Sequence, residues 1–387
     1  MNILMVLERD FPPDLRVENE IKGLLKNGHH VILACYTITE NDSVFDWNDC
    51  KVFKKRIPTF IYKSSIGALK FPFYFNFWRT HINDILKNEK VDAIHIHDLP
   101  LAKIGYEAKQ KHNIIFTLDL HENWPAYLEV ALHRNTFLGK ILSSIKQWKN
   151  YEQKMCTVAN NVIVVVDEAK DRLVDLGIDE KKVSIIANYP ELSDFEELDK
   201  NDKKSNTKEI SLFYAGGINK HRGLQYLIQA IHLTENDDLD IKFHIYGQGS
   251  YTDTLASLVN ELSLSDKVLF HGQVPYFTVL QELTNSDITV IPHEKNNHTD
   301  HTIPHKLFQY IYSGKPVLAS NCKPIERIVN DIEAGAIYEW NNPEDAYKKL
   351  LDLIHNYSKF NPEYLKKEIT ENYNWDHELK KLNSLYK

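Results

Sequence analysis

Glycine and proline are scarce, 14 of each in 387 residues. That is at or below ordinary usage and excludes collagen-like and low-complexity chains. Cysteine is scarcer still: Cys35, Cys50, Cys156 and Cys322 stand far apart with no C-x-x-C pair. Neither a disulfide framework nor a cysteine zinc centre is indicated, and a reducing compartment is expected. No run of 18 apolar residues occurs, and the apolar start before Glu8 is too short for a signal h-region. Neither a membrane span nor export by a signal peptide is therefore expected. Positive charge is in the minority, 46 Lys plus Arg against 54 Asp plus Glu, for a net charge of -8. That is the wrong sign for a chain whose whole surface binds nucleic acid.

What the chain has is length and apolar content, 387 residues at 43% hydrophobic, enough for two cores rather than one. Short apolar runs alternate with longer amphipathic stretches, the rhythm of a parallel sheet covered on both faces. In the first half the expected strands are Ile3–Leu7, His30–Tyr36, Ala93–His97, Ile114–Leu120, Val162–Val166 and Val183–Ala187. In the second they are Ile210–Ala215, Ile241–Tyr246, Val268–His271, Ile288–Ile291 and Pro316–Ala319. The fold expected is two doubly wound α/β domains facing across a cleft. Residues 1–190 form the first and residues 210–361 the second. The charged stretch 191–209 reads as a linker, and 362–387 as a helical tail that could pack on either domain.

Ligands of such sheets sit beyond the carboxyl ends of the strands, where helix N-termini point their N–H groups. After Ile210–Ala215 comes Gly216-Gly217-Ile218-Asn219-Lys220-His221-Arg222-Gly223. Glycines let backbone approach a ligand, and Arg222 at a helix start can fork onto a diphosphate. A tight turn with a solvated Arg is the competing reading. A second stretch, Ile303-Pro304-His305-Lys306-Leu307-Phe308-Gln309-Tyr310, reads as a helix with Pro304 in its first turn and Gly314 closing it. Lys306 is then a cation beside a positive dipole end, a conflict that a bound anion removes. Gln309 shares its face; here the competing reading is a surface Lys and Gln.

His121 follows the strand Ile114–Leu120 and so sits at the ligand edge, suited to sugar hydroxyls or to a proton. A structural histidine at a strand end is the alternative. His95 and His97 alternate on one strand face and read as a buried, satisfied pair. His293, His298, His301 and His305 crowd together but lack the spacing of a metal motif. Asp238-Leu239-Asp240 is a D-x-D triplet on the amino side of a strand, the wrong edge for a ligand, and reads as a solvated loop. Gly247-Gln248-Gly249 does not complete a dinucleotide fingerprint, which disfavours a nicotinamide oxidoreductase. Residues 51–80 carry seven basic residues, nine aromatics and no acid. That segregation suits docking to an anionic membrane surface; packing of the aromatics into the core is the alternative.

Seven stretches, in order, resemble the family 4 retaining glycosyltransferases of the GT-B fold with a P-x-K-L-F-E-Y signature. They are FPPDLRVENEIKGLLKNGHHV, VDAIHIHDLPLA, LDLHENWP, VSIIANYP, YAGGINKHRGLQYLIQAI, HIYGQGSYTDTLASLVNELSLSDKVLFHGQV and IPHKLFQYIYSGKPVLAS. The resemblance implies transfer of a sugar from a nucleotide sugar, UDP-linked by family frequency, with retained configuration and without metal or other cofactor. The donor would bind the C-terminal domain, and a glycan or polyprenyl-linked acceptor the N-terminal one, in cell-surface polysaccharide or glycoconjugate synthesis. A cytoplasmic location is implied, peripheral on the inner face of the plasma membrane.

Carried over by position, Gly216, Gly217, Arg222 and Lys306 would hold the diphosphate, with Val274 near the base and Gln309 facing the ribose. His301 would stand by the donor sugar, while Arg16 and His121 would approach the reacting sugar. Gln309 and His301 replace the Glu residues of the usual E-x7-E pair, and Gly217 replaces a frequent Arg, which leaves Arg222 and Lys306 as the diphosphate cations. These departures keep a silent nucleotide-sugar-binding partner open as a second class, and the shared architecture keeps a sugar-nucleotide epimerase as a third.

Overall fold

A computed structural model describes residues 1–130, 142–190, 209–237 and 239–387. The chain forms two compact units, Met1–Asn188 with Asp376–Lys387, and Tyr189–Trp375. The linker stretch up to residue 208 and Asp238 of the D-x-D triplet lie outside the described residues.

The first unit is built on eight strands: β1 (Asn2–Val6), β2 (His30–Thr37), β3 (Ser43–Trp47), β4 (Cys50–Arg56), β5 (Ala93–His97), β6 (Ile115–Leu120), β7 (Asn161–Val164) and β8 (Val183–Ile185). They lie in the order β3-β4-β2-β1-β5-β6-β7-β8, parallel except for β3 against β4. Around them run α1 (Leu15–Lys26), α2 (Thr59–Ser64), α3 (Phe73–Asn88), α4 (Ala102–His112), α5 (Trp124–Val130), α6 (Ile145–Val158) and α7 (Asp167–Asp175). Strands β1, β5 and β6 are buried almost throughout, as a sheet covered on both faces requires.

The second unit has six parallel strands in the order β11-β10-β9-β12-β13-β14. These are β9 (Ile210–Ala215), β10 (Ile241–Tyr246), β11 (Val268–Gly272), β12 (Ile288–Ile291), β13 (Val317–Ser320) and β14 (Gly335–Tyr338). Its helices are α8 (Leu224–Leu233), α9 (Thr252–Glu261), α10 (Tyr276–Asn285), α11 (Lys306–Tyr312), α12 (Lys323–Asp331), α13 (Pro343–His355) and α14 (Pro362–Asn372). Helix α15 (Trp375–Ser384) then carries the chain back into the first unit. Strand order reverses between β1 and β5 in one sheet and between β9 and β12 in the other, the two places where such sheets bind ligands.

Every expected strand forms within two residues of its expected ends. Strands β3, β4 and β14 lie outside the expectation, and β4 changes the reading of the basic stretch 51–80. Lys51 meets Glu89 at 2.6 Å, Lys54 is 7% exposed between Asp10 and Glu40, and Lys55 faces Asp84. Arg56 reaches Asn41, and Arg79 forks onto Glu107. The acids absent from the local sequence arrive from elsewhere in the fold, so at least five of the seven cations are already engaged. Tyr74, Phe75, Phe77 and Trp78 pack into the core, leaving Phe60, Tyr62, Phe71 and Phe73 exposed beside exposed Lys63 and Lys70. No helix among the described residues is long and apolar enough to cross a membrane.

Candidate active site

In the second unit, the loop after β9 and the start of α11 come together at the strand-order reversal. Arg222 closes a 3-10 turn, Lys220–Arg222, and α8 begins two residues later, so Arg222 precedes the helix rather than opening it. Gly223 makes this connection possible. Its φ is +71° and an added Cβ would overlap the carbonyl oxygen of Pro292, a position where only glycine avoids strain. Pro304 likewise lies just before α11, which places Lys306 at the first helical residue.

Lys306 is 9% exposed. Its Nζ donates to the Ala215 carbonyl at 3.1 Å and lies 3.9 Å from the centre of the Tyr214 ring. Gly216, at φ +145°, passes beside that ammonium: a Cβ there would stand 3.1 Å from Nζ. Burial, then the neighbouring Arg222, holds the ammonium well below its usual pKa. Arg222 donates from Nη1 to His293 Nε2 at 3.0 Å, while its buried Nε has no partner. Burial and these two cations keep His293 in its neutral, accepting form. Among the described residues no carboxylate pairs with Arg222 or Lys306. A guanidinium with an idle N–H beside a buried lysine, without a counter-charge among the described residues, is an arrangement whose cost a bound anion would lower.

Gln309, 8% exposed, donates to the Tyr276 hydroxyl at 3.0 Å. Val274 lies half-buried in the loop after β11, and the His301 Nδ1 sits 2.7 Å from the Asn297 carbonyl. Gly217 is exposed, its carbonyl accepting from the Tyr214 hydroxyl at 2.9 Å.

In the first unit the carboxyl ends of β1, β5 and β6 gather a dense set of ionisable groups. Helix α1 begins at Leu15 because Asp14 caps the Val17 amide and Glu18 returns the bond to the Asp14 amide, a reciprocal cap. That start turns Arg16 inward. Its Nε and Nη2 fork onto Asp119 at 3.1 and 2.9 Å, Nη1 donates to the Ile186 carbonyl, and Glu20 lies 3.1 Å from Nε. At 5% exposure Arg16 is spent on these partners. Arg16, expected to approach the reacting sugar, holds its guanidinium against the Asp119 carboxylate.

Asp119 is the hub. Besides Arg16 it receives His121 Nε2 at 2.9 Å, and it lies 3.4 Å from His97 Nδ1 and 3.6 Å from His95 Nε2. Burial alone would raise its pKa, yet Arg16 and His121 hold it well below the carboxylate range. Burial opposes the charged form of His121, but Asp98 and Asp119 together push it up to about 9. At neutral pH His121 is an imidazolium, a hydrogen-bond donor rather than a base. Its side chain is 17% exposed, the outward end of an otherwise sealed network.

His95 and His97 are wholly buried, as expected, but each Nε2 lacks a hydrogen-bond partner. The far nitrogen of His95 is held at 2.7 Å by Tyr386, the penultimate residue, brought back by α15. Glu20, His95, His97 and Asp119 carry possible metal-ligand atoms within 4.8 Å of one another. The Arg16 guanidinium already lies against both carboxylates, so the cation this cluster needs is part of the chain.

Sequence reasoning missed Glu8. It follows β1, and its Oε1 accepts from the Tyr74 hydroxyl at 2.7 Å. Burial, partly offset by that bond and reinforced by Asp98, raises its carboxyl to about 8. Nothing local marks it, because the burying groups come from β2, α3 and β5.

Two family models match the chain in series, the Glycosyltransferase Family 4 model over residues 15–189 and the Glycosyl transferases group 1 model over residues 195–373. This chain is a family 4-like glycosyltransferase of the GT-B fold. An uncharacterized glycosyltransferase of Methanocaldococcus jannaschii is 23% identical to it over 95% of this chain and 91% of its own length. A second from the same organism is 24% identical over 59% of this chain, a match spanning 58% of that relative. Among solved structures, sucrose-phosphate synthase from Thermosynechococcus elongatus superposes with a TM-score of 0.76 at 14% identity, covering 100% of this chain and 98% of that one. An Anabaena protein solved in complex with UDP gives a TM-score of 0.70 at 13% identity, with coverage of 100% and 99%. The two units of the transferase correspond to the two matched models.

Proposed function

We propose that the transferase moves a hexosyl or N-acetylhexosaminyl group from a UDP-sugar, with retention of configuration and without a metal. The receiving group is a hydroxyl of a glycan or lipid-linked acceptor in cell-surface polysaccharide or glycoconjugate synthesis. The observation that carries the reading is the uncompensated pair Arg222 and Lys306 at the strand-order reversal of the second unit. Cleavage of a sugar-to-diphosphate bond leaves negative charge on the departing group. Preorganised donors aimed at such charge are worth about 3 to 4 kcal/mol each. A bound diphosphate also removes the cost of holding a buried ammonium beside a guanidinium. UDP in the Anabaena neighbour supports the choice of base. In the first unit His121, an imidazolium at the sheet edge, supplies a donor to sugar hydroxyls.

The exposed aromatics Phe60, Tyr62, Phe71 and Phe73 with Lys63 and Lys70 support peripheral attachment to an anionic leaflet, the inner face of the plasma membrane. Aromatic rings favour the headgroup boundary and each nearby cation adds about 1 kcal/mol.

Calorimetry with UDP-glucose, UDP-N-acetylglucosamine and GDP-mannose tests the donor site. The variant with Arg222→Ala and Lys306→Ala together is expected to bind the preferred UDP-sugar at least 100-fold more weakly, from about 1.5 to 3 kcal/mol per charged hydrogen bond. Unchanged binding refutes the reading. Release of UDP that depends on added acceptor distinguishes transfer from silent binding.

A further inference from the structure

We propose that Tyr386 is a positioning residue for glycosyl transfer: its hydroxyl holds the His95 ring so that an imidazole N–H faces Asp119, the carboxylate to which His121 donates. The proposal rests on the transferase reading and extends it to the segment beyond α15.

The segment that carries Tyr386 is fixed on the first unit at two earlier points. Glu378 of α15, 2% exposed, accepts from the Ala187 amide at 2.7 Å. Leu379 lies so close to α1 that a Cβ on Gly23 would overlap it. The Tyr386 ring, 1% exposed, runs in beside His29 with centroids 6.1 Å apart, and its hydroxyl meets His95 Nδ1 at 2.7 Å. A hydroxyl locked in place by packing holds its partner more firmly than one on a free loop.

The polarity of this contact is fixed from both ends. A neutral imidazole offers one donor and one acceptor. His95 Nε2 stands 3.6 Å from Glu20 Oε2 and 3.6 Å from Asp119 Oδ2, where a bare lone pair is repelled and an N–H attracted. Nδ1 is then the acceptor and the Tyr386 hydroxyl the donor. The opposite end agrees. The Asn161 Nδ2 group, which can only donate, reaches Thr117 Oγ1 at 3.3 Å. Thr117, already receiving one hydrogen, passes its own to the Tyr386 oxygen. Burial raises the Tyr386 phenol and the Thr117 bond opposes that rise, as donation to the oxygen requires. The run of donors goes from Asn161 through Thr117 and Tyr386 to His95, and ends in an N–H facing two carboxylates.

The oxygen that His95 faces is a shared one. Asp119 Oδ2 accepts from His121 Nε2 at 2.9 Å and from Arg16 Nε at 3.1 Å. Without a donor at Nδ1, the His95 ring is free to turn about its Cβ–Cγ bond and bring a carbon edge or a bare nitrogen toward that oxygen. Asp119 then shifts and carries His121 with it. Misplacement of about 1 Å, caused by a change far from the chemistry, costs up to about 100-fold in rate.

Long-range proton–nitrogen correlation NMR of the wild type is expected to show the His95 proton on Nε2 alone, the His95 signals being assigned by their loss in His95→Asn. A proton on Nδ1 overturns the proposal, and that measurement needs no folded variant of Tyr386. Turnover is followed as UDP release from UDP-glucose and UDP-N-acetylglucosamine, with a detergent extract of membrane lipids as acceptor. Tyr386→Phe is expected to lower kcat at least tenfold while the KM for the UDP-sugar stays within twofold. His95→Asn leaves an acceptor near the place of Nδ1 but no atom that reaches Asp119, and is expected to lose at least as much. The double variant is expected to lose no more than His95→Asn alone, because both changes cut one route. A smaller fall in Tyr386→Phe, or losses that multiply in the double variant, overturn the proposal. Absence of UDP release from the wild type overturns the transferase reading, and this inference with it.

Discussion

Replacing Glu8 by Gln is expected to stabilise the first unit at neutral pH. In the folded chain burial keeps this carboxyl protonated to about pH 8, against 4.5 for an ordinary glutamate. Above 4.5 the unfolded chain gives up its proton and the folded chain does not. The folded state is therefore penalised by a term that is absent below pH 4.5, grows through the window from 4.5 to 8, and levels off above it. Each pH unit contributes about 1.4 kcal/mol, so the penalty is under about 1 kcal/mol at pH 5 and at most about 3 kcal/mol at pH 7, the upper figure because the side chain is only half-buried and solvent screens part of the effect. Gln has no charge to lose, and its amide oxygen keeps the bond from the Tyr74 hydroxyl. Urea unfolding followed by tryptophan fluorescence at both pH values checks this. Glu8→Gln is expected to exceed wild type by about 2 to 3 kcal/mol at pH 7 and to be nearly equal to it at pH 5. An advantage of the same size at both pH values, or none at pH 7, refutes the buried-acid argument.

Asp119→Asn removes the hub while leaving Arg16 buried against Glu20. It is expected to lower stability by about 3 to 5 kcal/mol and to bring the His121 titration, read by histidine NMR, down from about 9 toward its ordinary range; an unmoved titration would show that Asp98 alone sets it. Co-sedimentation with phosphatidylglycerol vesicles is expected to fall sharply when Phe60, Phe71 and Phe73 become Ser, and little when Lys54, already held by Asp10 and Glu40, becomes Gln. Equal losses from both variants would place the contact elsewhere.

The placement of the second unit's candidate residues was the more legible of the two. Gly216, Arg222 and Lys306 sit in loops and helix starts that follow strands, and the rule that ligands lie at strand carboxyl ends locates them in one dimension. Arg16 and Glu20 were legible as helix residues but not in their orientation. An i,i+4 charged pair on a surface helix usually faces water, and only the cap at Asp14 and the partner Asp119, 103 residues away, turn it into the core. The partners of the basic run 51–80 were illegible for the same reason: its neutralising acids Asp10, Glu40, Asp84, Glu89 and Glu107 come from other parts of the chain.

Periodicity and punctuation in the sequence determined the two parallel sheets, because burial on both faces demands continuous apolar runs and each crossover demands an amphipathic helix. Ionisation was decided only by the tertiary structure. Whether Glu8 carries a proton, whether His121 carries a charge and whether Lys306 lacks a counter-ion depend on dielectric and on charges brought from distant strands. Those quantities belong to the space around a side chain and not to its place in the chain.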